Sequence, residues 1–192
     1  MRRSRSSRPR LGGVPKALKL GAQAVALAGL AGLFALLIWK ITHRPRPVKV
    51  GAAAPAFDLQ RLDGNGRLAL ASWNGRVRVV NFWATWSGPC KSESPALQRL
   101  WEQYRARGVV FVGVDYNDVA SDARRFVRKH GLTYPMVRDR DGSVGNLYDL
   151  TGVPETFVVD RHGRLVEHFA GPIDLRDNDR AFRRAVDRAL ES

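Results

Sequence analysis

The sequence predicts an α/β domain built on a mixed β-sheet, preceded by one transmembrane helix. From residue 56 onward, segments with the apolar pattern of strands alternate with segments of helical spacing, and a hairpin and a closing helix follow. Before this domain, the 20 residues from Leu20 to Trp39 carry no charged side chain. A helix rises about 1.5 Å per residue, so this segment spans about 30 Å, the thickness of a bilayer's hydrocarbon core.

The net charge of the chain is concentrated at its amino-terminal end. The 192 residues include 32 Lys and Arg against 18 Asp and Glu, a net charge of +14. Residues 1–49 hold 11 of the basic side chains and no acidic one, so the rest of the chain has a net charge of +3. A folded basic domain that coats nucleic acid is therefore excluded as the leading function, and no nucleic-acid partner is expected.

We expect a basic cytoplasmic tail over 1–19, a transmembrane helix over 20–39 and an extended tether over 40–55. Seven basic residues precede the apolar segment and four follow it up to residue 49, so the positive-inside rule places the amino terminus in the cytoplasm and the domain outside. The Pro- and Ala-rich stretch up to Pro55 predicts the tether. The protein is thus expected to be a single-pass protein of the cell membrane.

A cleaved signal peptide is the alternative for this end of the chain, because it too begins with basic residues and an apolar segment. The apolar segment here is long, and Trp39-Lys40-Ile41-Thr42-His43 follows without a small-x-small cleavage site. A retained anchor is therefore the preferred interpretation.

The strands of the domain over 56–192 are predicted from apolar segments between turn signals. Ala56–Gln60 and Leu68–Leu70 form a short strand pair around Asp63-Gly64-Asn65-Gly66. The later strands are almost continuously apolar, as expected for strands covered on both faces. They are Val77–Ala84, Val109–Val114, Met136–Arg138, Thr156–Val159 and Leu165–Phe169, the last two joined by the hairpin Asp160–Gly163.

Three helices are predicted by apolar side chains at helical spacing. The first contains Pro95 near its start, where proline should bend a helix or cost a backbone hydrogen bond. The second is expected to begin with Ser121 as its N-cap and to end at Gly131. The apolar positions are Leu97, Leu100, Trp101 and Tyr104 in the first helix, Phe126 and Val127 in the second, and Phe182, Ala185, Val186, Ala189 and Leu190 in the last.

The single cysteine of the chain, Cys90, directly follows the first buried strand and precedes a helix. α/β folds place reactive groups at such a position, and the positive end of the helix dipole favours a thiolate there. A lone cysteine can equally be a buried, inert core residue. One cysteine excludes an intrachain disulfide and a multi-cysteine metal site. The four histidines are dispersed, so neither a metal nor a cofactor is expected.

The segment Asn81-Phe-Trp-Ala-Thr-Trp-Ser-Gly-Pro-Cys-Lys-Ser-Glu-Ser-Pro95 resembles the active-site segment of membrane-tethered thioredoxin-like proteins of the TlpA/ResA/CcmG group. These are extracytoplasmic thiol–disulfide oxidoreductases, several of which serve cytochrome c maturation. Gly113–Asp118 and Gly152–Asp160 resemble later segments of the cytochrome c maturation branch. The resemblance implies a thioredoxin-like fold with an N-terminal strand-pair extension. It also implies protein thiols or disulfides as partners, such as apocytochrome c or another envelope redox protein.

The resemblance implies roles for individual residues. Cys90 matches the second, more buried cysteine of the Cys-x-x-Cys motif, and Glu93 matches an acid thought to transfer protons near that sulfur. Glu93 has an ordinary role as well, because a carboxylate in the first turn of a helix is stabilising. The catalytic candidates are Cys90, Ser87 and Glu93. The expected substrate contacts are Trp86, Pro89, Val153 and Pro154, the last matching the cis-proline of the family. Trp83 is expected to pack in the core.

Ser87 occupies the position of the family's first cysteine, the nucleophile. A serine hydroxyl is a weak nucleophile without an adjacent base and cannot form a disulfide, although serine is a good helix N-cap. The chain as written is therefore expected not to cycle between dithiol and disulfide, although its family is one of thiol–disulfide oxidoreductases.

Four interpretations of Ser87 remain open. It is an engineered or sequence-level change in a former Cys-x-x-Cys protein, or a natural variant that binds clients without turning them over. Alternatively, Cys90 acts alone through mixed disulfides, or the site works as a one-cysteine peroxiredoxin. In the last case Trp83-x-x-x-Ser87-x-x-Cys90 stands for Pro-x-x-x-Thr-x-x-Cys, and Trp83 in the place of proline counts against it.

Overall fold

The computed structural model describes residues 27–39, 48–174 and 179–192, and the chain divides into the units Met1–Arg44 and Pro45–Ser192. In the first unit, residues 27–39 are helical (α1). No helix within the described ranges is both long enough and apolar enough to cross a membrane. Of the predicted transmembrane segment 20–39, the structure describes only the residues from 27 onward. The tail over 1–19 and residues 40–47 of the tether lie outside the described residues.

The second unit is built on a seven-stranded mixed sheet in the order β2-β1-β5-β4-β3-β6-β7. Its central strands β3, β4 and β5 are parallel, and the other neighbouring pairs are antiparallel. The strands are β1 (Asp58–Arg61), β2 (Arg67–Ala69), β3 (Arg78–Trp83), β4 (Val110–Tyr116), β5 (Met136–Asp139), β6 (Glu155–Val159) and β7 (Leu165–Ala170). Each predicted strand is confirmed, with ends that differ by at most two residues. The strand pair β1–β2 extends the sheet beyond β5.

The helices of this unit are α2 (Gly88–Arg105), α3 (Ala120–His130), α4 (Ser143–Leu147) and α5 (Asp179–Glu191), with a 3₁₀ helix at Leu70–Trp73. α2 continues through Pro95. Gly131 ends α3 in the left-handed conformation, with a φ of 63°, as predicted.

The prediction that Ser121 caps α3 is wrong, because the N-cap position is occupied by Val119, two residues earlier, and the helix begins at Ala120. The carboxylate of Asp118 accepts the N–H of Val119 at 2.7 Å. Ser121 already lies inside the helix, where its hydroxyl donates to the carboxylate of Asp122 at 3.2 Å.

Two hydrophobic clusters cover the two faces of the sheet. Side chains alternate along a strand, so Val79 and Trp83 of β3 face one cluster, and Val80 and Phe82 face the other. α2, α3 and α5 contribute to the first cluster, and α4 and the 3₁₀ helix contribute to the second. Every residue of β3 is buried. The end of β3 is thus held from both sides, and it fixes the loop that leads into α2.

Residues 48–55, which the sequence places in the tether, contact the domain. The N–H of Gly51 donates to the carbonyl of Leu165 at 2.7 Å, and the N–H of Leu165 donates to the carbonyl of Ala52 at 2.8 Å. The hydroxyl of Tyr148 donates to the carbonyl of Pro55 at 2.9 Å. The part of the tether that the structure describes is therefore hydrogen-bonded to the domain.

Candidate active site

The candidate site lies where β3 ends and α2 begins. Ser87 is the N-cap of α2, as its sequence position allows: its Oγ accepts the N–H of Cys90 at 3.3 Å. The same hydroxyl donates to the carbonyl of Val153 at 3.0 Å. The peptide bond between Val153 and Pro154 is cis. The fold therefore brings together Ser87, Cys90 and the loop before β6, which are far apart in the sequence.

Cys90 is the third residue of α2 and is only 1% exposed. Burial raises the pKa of its thiol to about 11, and the hydrogen bond with Ser87 offsets only part of this effect. The sequence suggested that the helix dipole would favour a thiolate. In the structure, the cost of placing a charge in an apolar environment outweighs that effect.

The thiol of Cys90 is expected to react slowly with iodoacetamide in the folded chain. The thiolate is the reactive form, and a pKa of about 11 in place of 9.0 lowers its fraction at pH 8 by roughly 100-fold. Alkylation of the native chain should be slower than alkylation of the chain in urea by at least this factor, as followed by mass spectrometry. Similar rates in the two states would contradict a buried, protonated thiol in the folded chain.

Glu93 lies one turn after Cys90 and is 2% exposed; it is the sixth residue of α2, so the expectation that its carboxylate lies in the first turn of the helix is wrong. Its Oε1 accepts from the side-chain amide of Asn81 at 3.0 Å, and its Oε2 accepts from the backbone N–H of Ile173 at 2.9 Å. The Asn81 amide also donates to Thr156 at 3.0 Å. Burial raises the pKa of Glu93 to about 7, although both hydrogen bonds favour its ionised form. Glu93 can therefore gain or lose a proton near neutral pH.

A second buried carboxylate holds the loop that contains the cis peptide bond. Glu155 Oε1 accepts from the N–H and the hydroxyl of Thr151 at 2.8 and 2.7 Å, and from the N–H of Gly152 at 3.0 Å. Its Oε2 lies 2.7 Å from Nε2 of His168, and the ring of His168 stacks on Phe157. Glu155 thus fixes the chain directly before Val153 and Pro154.

The remaining candidates surround this centre at different depths. Trp86 and Pro89 are exposed, Val153 is half-buried and Pro154 is buried. Trp83 packs in the core as predicted, where its ring stacks on Phe126 with centroids 4.7 Å apart. In the described parts of the chain, no group of His, Cys, Asp and Glu side chains could hold a metal ion.

Sequence reasoning missed the partners of the two buried carboxylates. Asn81 and Thr156 are polar residues within otherwise apolar strands, and this contrast was the available signal for a buried polar contact. Ile173 contributes through its backbone, for which side-chain patterns carry no signal. Glu155 and His168 meet across β6 and β7, a pairing that depends on the register of these two strands.

Comparison of the sequence with known proteins shows the family to which this chain belongs. Residues 50–168 match the AhpC/TSA family. The thiol-disulfide oxidoreductase ResA of Geobacillus kaustophilus (strain HTA426) is 31% identical over 157 residues, which cover 82% of this chain and 90% of that protein.

Solved structures of similar proteins share the fold. A structure described as a thiol:disulfide interchange protein DsbE from Chlorobium tepidum has a TM-score of 0.69 and 28% identity, covering 74% of this chain and 99% of that one. A thiol:disulfide interchange protein of the thioredoxin family from Chlorobium tepidum TLS has a TM-score of 0.63 and 30% identity, covering 76% and 97%. The predicted thioredoxin-like α/β fold is thereby confirmed. The chain belongs to the AhpC/TSA family, among its ResA- and DsbE-like thiol–disulfide oxidoreductases.

Proposed function

We propose that this chain is a membrane-anchored, extracytoplasmic thioredoxin-like protein of the thiol–disulfide oxidoreductase family, linked to cytochrome c maturation or to envelope thiol reduction, whose clients carry protein thiols or disulfides. One observation carries the proposal: Ser87, Cys90 and the carbonyl of Val153, the residue before Pro154, meet at the start of α2, with Glu93 buried one turn behind. This is the arrangement that the resemblance to the TlpA/ResA/CcmG group implies. Apocytochrome c is the proposed client.

The site holds some of the parts that thiol–disulfide exchange needs. In a complete exchange, one thiolate attacks the client disulfide, forms a mixed disulfide and releases one client thiolate. A second thiolate then attacks the mixed disulfide, which releases the other client thiolate and leaves an intrachain disulfide. Cys90 holds the position of the thiol for the second step, and Glu93, whose pKa burial raises to about 7, is the proposed acceptor of the proton that this thiol loses. Ser87 lacks the sulfur for the first step, so the chain as written cannot complete the cycle.

The absent sulfur at position 87 makes client binding without turnover the second candidate function. In that case the loop before Pro154 would still hold a client segment. A peroxidase based on Cys90 alone is less well supported, because peroxide reacts with an exposed thiolate, whereas burial raises the pKa of Cys90 to about 11. The same burial argues against mixed disulfides formed by Cys90 as the attacking group.

The anchor and its orientation are part of the proposal. Support comes from the 20 uncharged residues of 20–39 and from the greater number of basic residues before them than after them. These features favour a basic tail in the cytoplasm and a redox domain on the extracytoplasmic side. The redox domain and its clients would then lie on the same side of the membrane.

Deletion of the gene in the cell that carries it is expected to lower the content of covalently bound haem c in the membrane fraction, measured by haem staining after denaturing electrophoresis. The unmodified chain supplied from a plasmid should restore it. A variant at an exposed site away from the candidate active site, Arg161→Ala, is the matched control and should restore it equally. An unchanged haem c content after deletion would remove cytochrome c maturation from the proposal.

A further inference from the structure

The loop directly before β6 keeps one backbone N–H group without an acceptor. We call residues 151–154 the docking loop. Oε1 of Glu155 accepts the N–H groups of Thr151 and Gly152 at 2.8 and 3.0 Å, so the first half of the loop is held from β6. Within the described part of the chain, the N–H of Val153 donates to no acceptor.

Val153 therefore has two backbone groups that an extended segment can use. A residue before proline is restricted to extended conformations, in which its N–H and C=O point to the same side. A neighbouring antiparallel segment exchanges two hydrogen bonds with such a residue. The carbonyl of Val153 accepts one hydrogen bond, from Ser87, and its second lone pair remains for a bound segment. Val153 is half-buried and Gly152 beside it is exposed, so a segment can approach the loop from solvent.

Ser87 connects the docking loop to the start of α2. Its hydroxyl accepts the N–H of Cys90 at 3.3 Å and donates to the carbonyl of Val153 at 3.0 Å. Ser87 is only 5% exposed, so water competes little for either bond. Each hydrogen bond in such a chain polarises the next and strengthens it. A threonine hydroxyl could make both bonds, whereas an ionised aspartate only accepts and alanine does neither.

The hydrogen bond from Ser87 acts before a client is bound. It restrains the orientation of the Val153 peptide groups, while Glu155 restrains the residues directly before them. A loop that is already held in its binding conformation loses less conformational entropy when it binds. The oxygen at position 87, which excludes the first step of exchange, can thus favour binding.

We propose that Ser87 is a positioning residue for client docking. Its hydroxyl holds Val153 in the orientation in which an extended client segment, next to the cysteine of the client, exchanges two backbone hydrogen bonds with it. The client is then a chain that is unfolded around its cysteine. This inference rests on the proposed function, and in particular on its second candidate, client binding without turnover.

The test measures binding of a short fluorescein-labelled peptide with a central S-methylated cysteine to the full-length chain in nonionic detergent, by fluorescence anisotropy. S-methylation prevents covalent reaction with Cys90. Ser87→Ala should weaken binding about fivefold, as for the loss of one neutral hydrogen bond. Ser87→Asp should weaken it at least as much, because its carboxylate caps α2 but cannot donate to the carbonyl of Val153. Ser87→Thr should retain the affinity.

A second peptide tests whether Ser87 acts through the backbone contact. Its two residues beside the cysteine carry N-methyl groups, so they cannot donate to the carbonyl of Val153. The unmodified chain should bind this peptide about fivefold more weakly than the first. Ser87→Ala should have little further effect, because both changes act on the same contact. A residue that only stabilised the fold would weaken both peptides by the same factor.

Ser92→Ala is the matched control. It removes a hydroxyl that also donates to a carbonyl in α2, that of Pro89 at 2.8 Å, and it should leave both affinities unchanged. All affinities are measured at a temperature at which thermal unfolding, followed by circular dichroism, shows every variant to be folded.

Four results would overturn the inference. They are absence of binding to the unmodified chain, equal affinity of Ser87→Ala and the unmodified chain, full affinity of Ser87→Asp, and an equal effect of Ser87→Ala on the two peptides. Equal affinity of Ser87→Ala would remove the role of Ser87 and leave the proposed function intact. Conversely, an unchanged haem c content after gene deletion would leave docking intact. The two failures are therefore distinguishable.

Discussion

Ser87→Cys is expected to raise the rate at which the purified chain reduces a test disulfide such as insulin by at least on the order of 100-fold, from a value close to the uncatalysed background. The substitution supplies the sulfur that the first step of exchange requires. A thiolate at position 87 would accept the N–H of Cys90, which lies 3.3 Å from the present hydroxyl oxygen, and would lie at the positive end of α2. Both effects lower the pKa of a thiol.

The assay follows insulin precipitation with dithiothreitol as the electron donor. Ser92→Cys is the matched control, because it adds a second thiol at an exposed position of the same helix, away from the N-cap. It should leave the rate at background. In the double variant Ser87→Cys, Cys90→Ser, the first attack can occur but no intrachain disulfide can form, so turnover should again be lost. If the unmodified chain already reduced insulin rapidly, our account of Ser87 would be wrong.

The sheet could be predicted because each strand is an apolar segment between turn residues, a signal that the local sequence contains. Every residue of β3 is buried, and its apolar segment was visible without knowledge of its neighbours. β6 and β7 were predicted because a turn sequence separates two apolar segments. Even so, the start of α3 was misplaced by the assumption that Ser121 would cap it. In the structure, Asp118 accepts the N–H of Val119, the residue directly before the helix. The general preference for serine at N-cap positions cannot show whether Val119 or Ser121 takes that position.

The electrostatics of the site could not be predicted from local sequence. Glu93 binds the N–H of Ile173, which is 80 positions away, and its burial depends on the segment that contains that residue. The expected thiolate character of Cys90 was derived from the helix end alone. The packing of several distant segments buries the thiol and reverses the direction of the shift. Contacts between distant segments thus decide which protonation state each group adopts.

The free energy of unfolding is expected to fall as pH rises from about 5 to 8, with a contribution of roughly 3 kcal/mol from Glu93. In the folded chain, burial raises the pKa of Glu93 to about 7 from an ordinary value of 4.5. Between these two values the folded chain binds more protons than the unfolded chain. Stability from this group is therefore fully present below about pH 4.5 and is lost as pH rises through 7.

Asp115 should contribute in the same direction, because burial raises its pKa to about 7 from 3.8 and the nearby Asp118 adds to the shift. Other carboxyl groups act in a different range. Hydrogen bonds to the backbone N–H of Asn65 and to Ser143 lower the pKa of Asp63 and Asp141, respectively, so their effects on stability appear at lower pH than those of Glu93 and Asp115.

Urea unfolding at pH 5 and pH 8, followed by circular dichroism, measures this dependence. Glu93→Gln should remove the contribution of Glu93 to the pH dependence, because glutamine resembles the protonated carboxyl and does not titrate. It can accept only one of the two N–H groups that Glu93 accepts, from Asn81 and Ile173, so it also carries a cost that is independent of pH. The test therefore compares the change in the free energy of unfolding between pH 5 and pH 8, and not its absolute value at either pH.

The matched control is Glu102→Gln, at an exposed position of the same helix, which should retain the full pH dependence of the unmodified chain. If Glu93→Gln retained it as well, the pH dependence would come from other groups and burial would not raise the pKa of Glu93 in the folded chain.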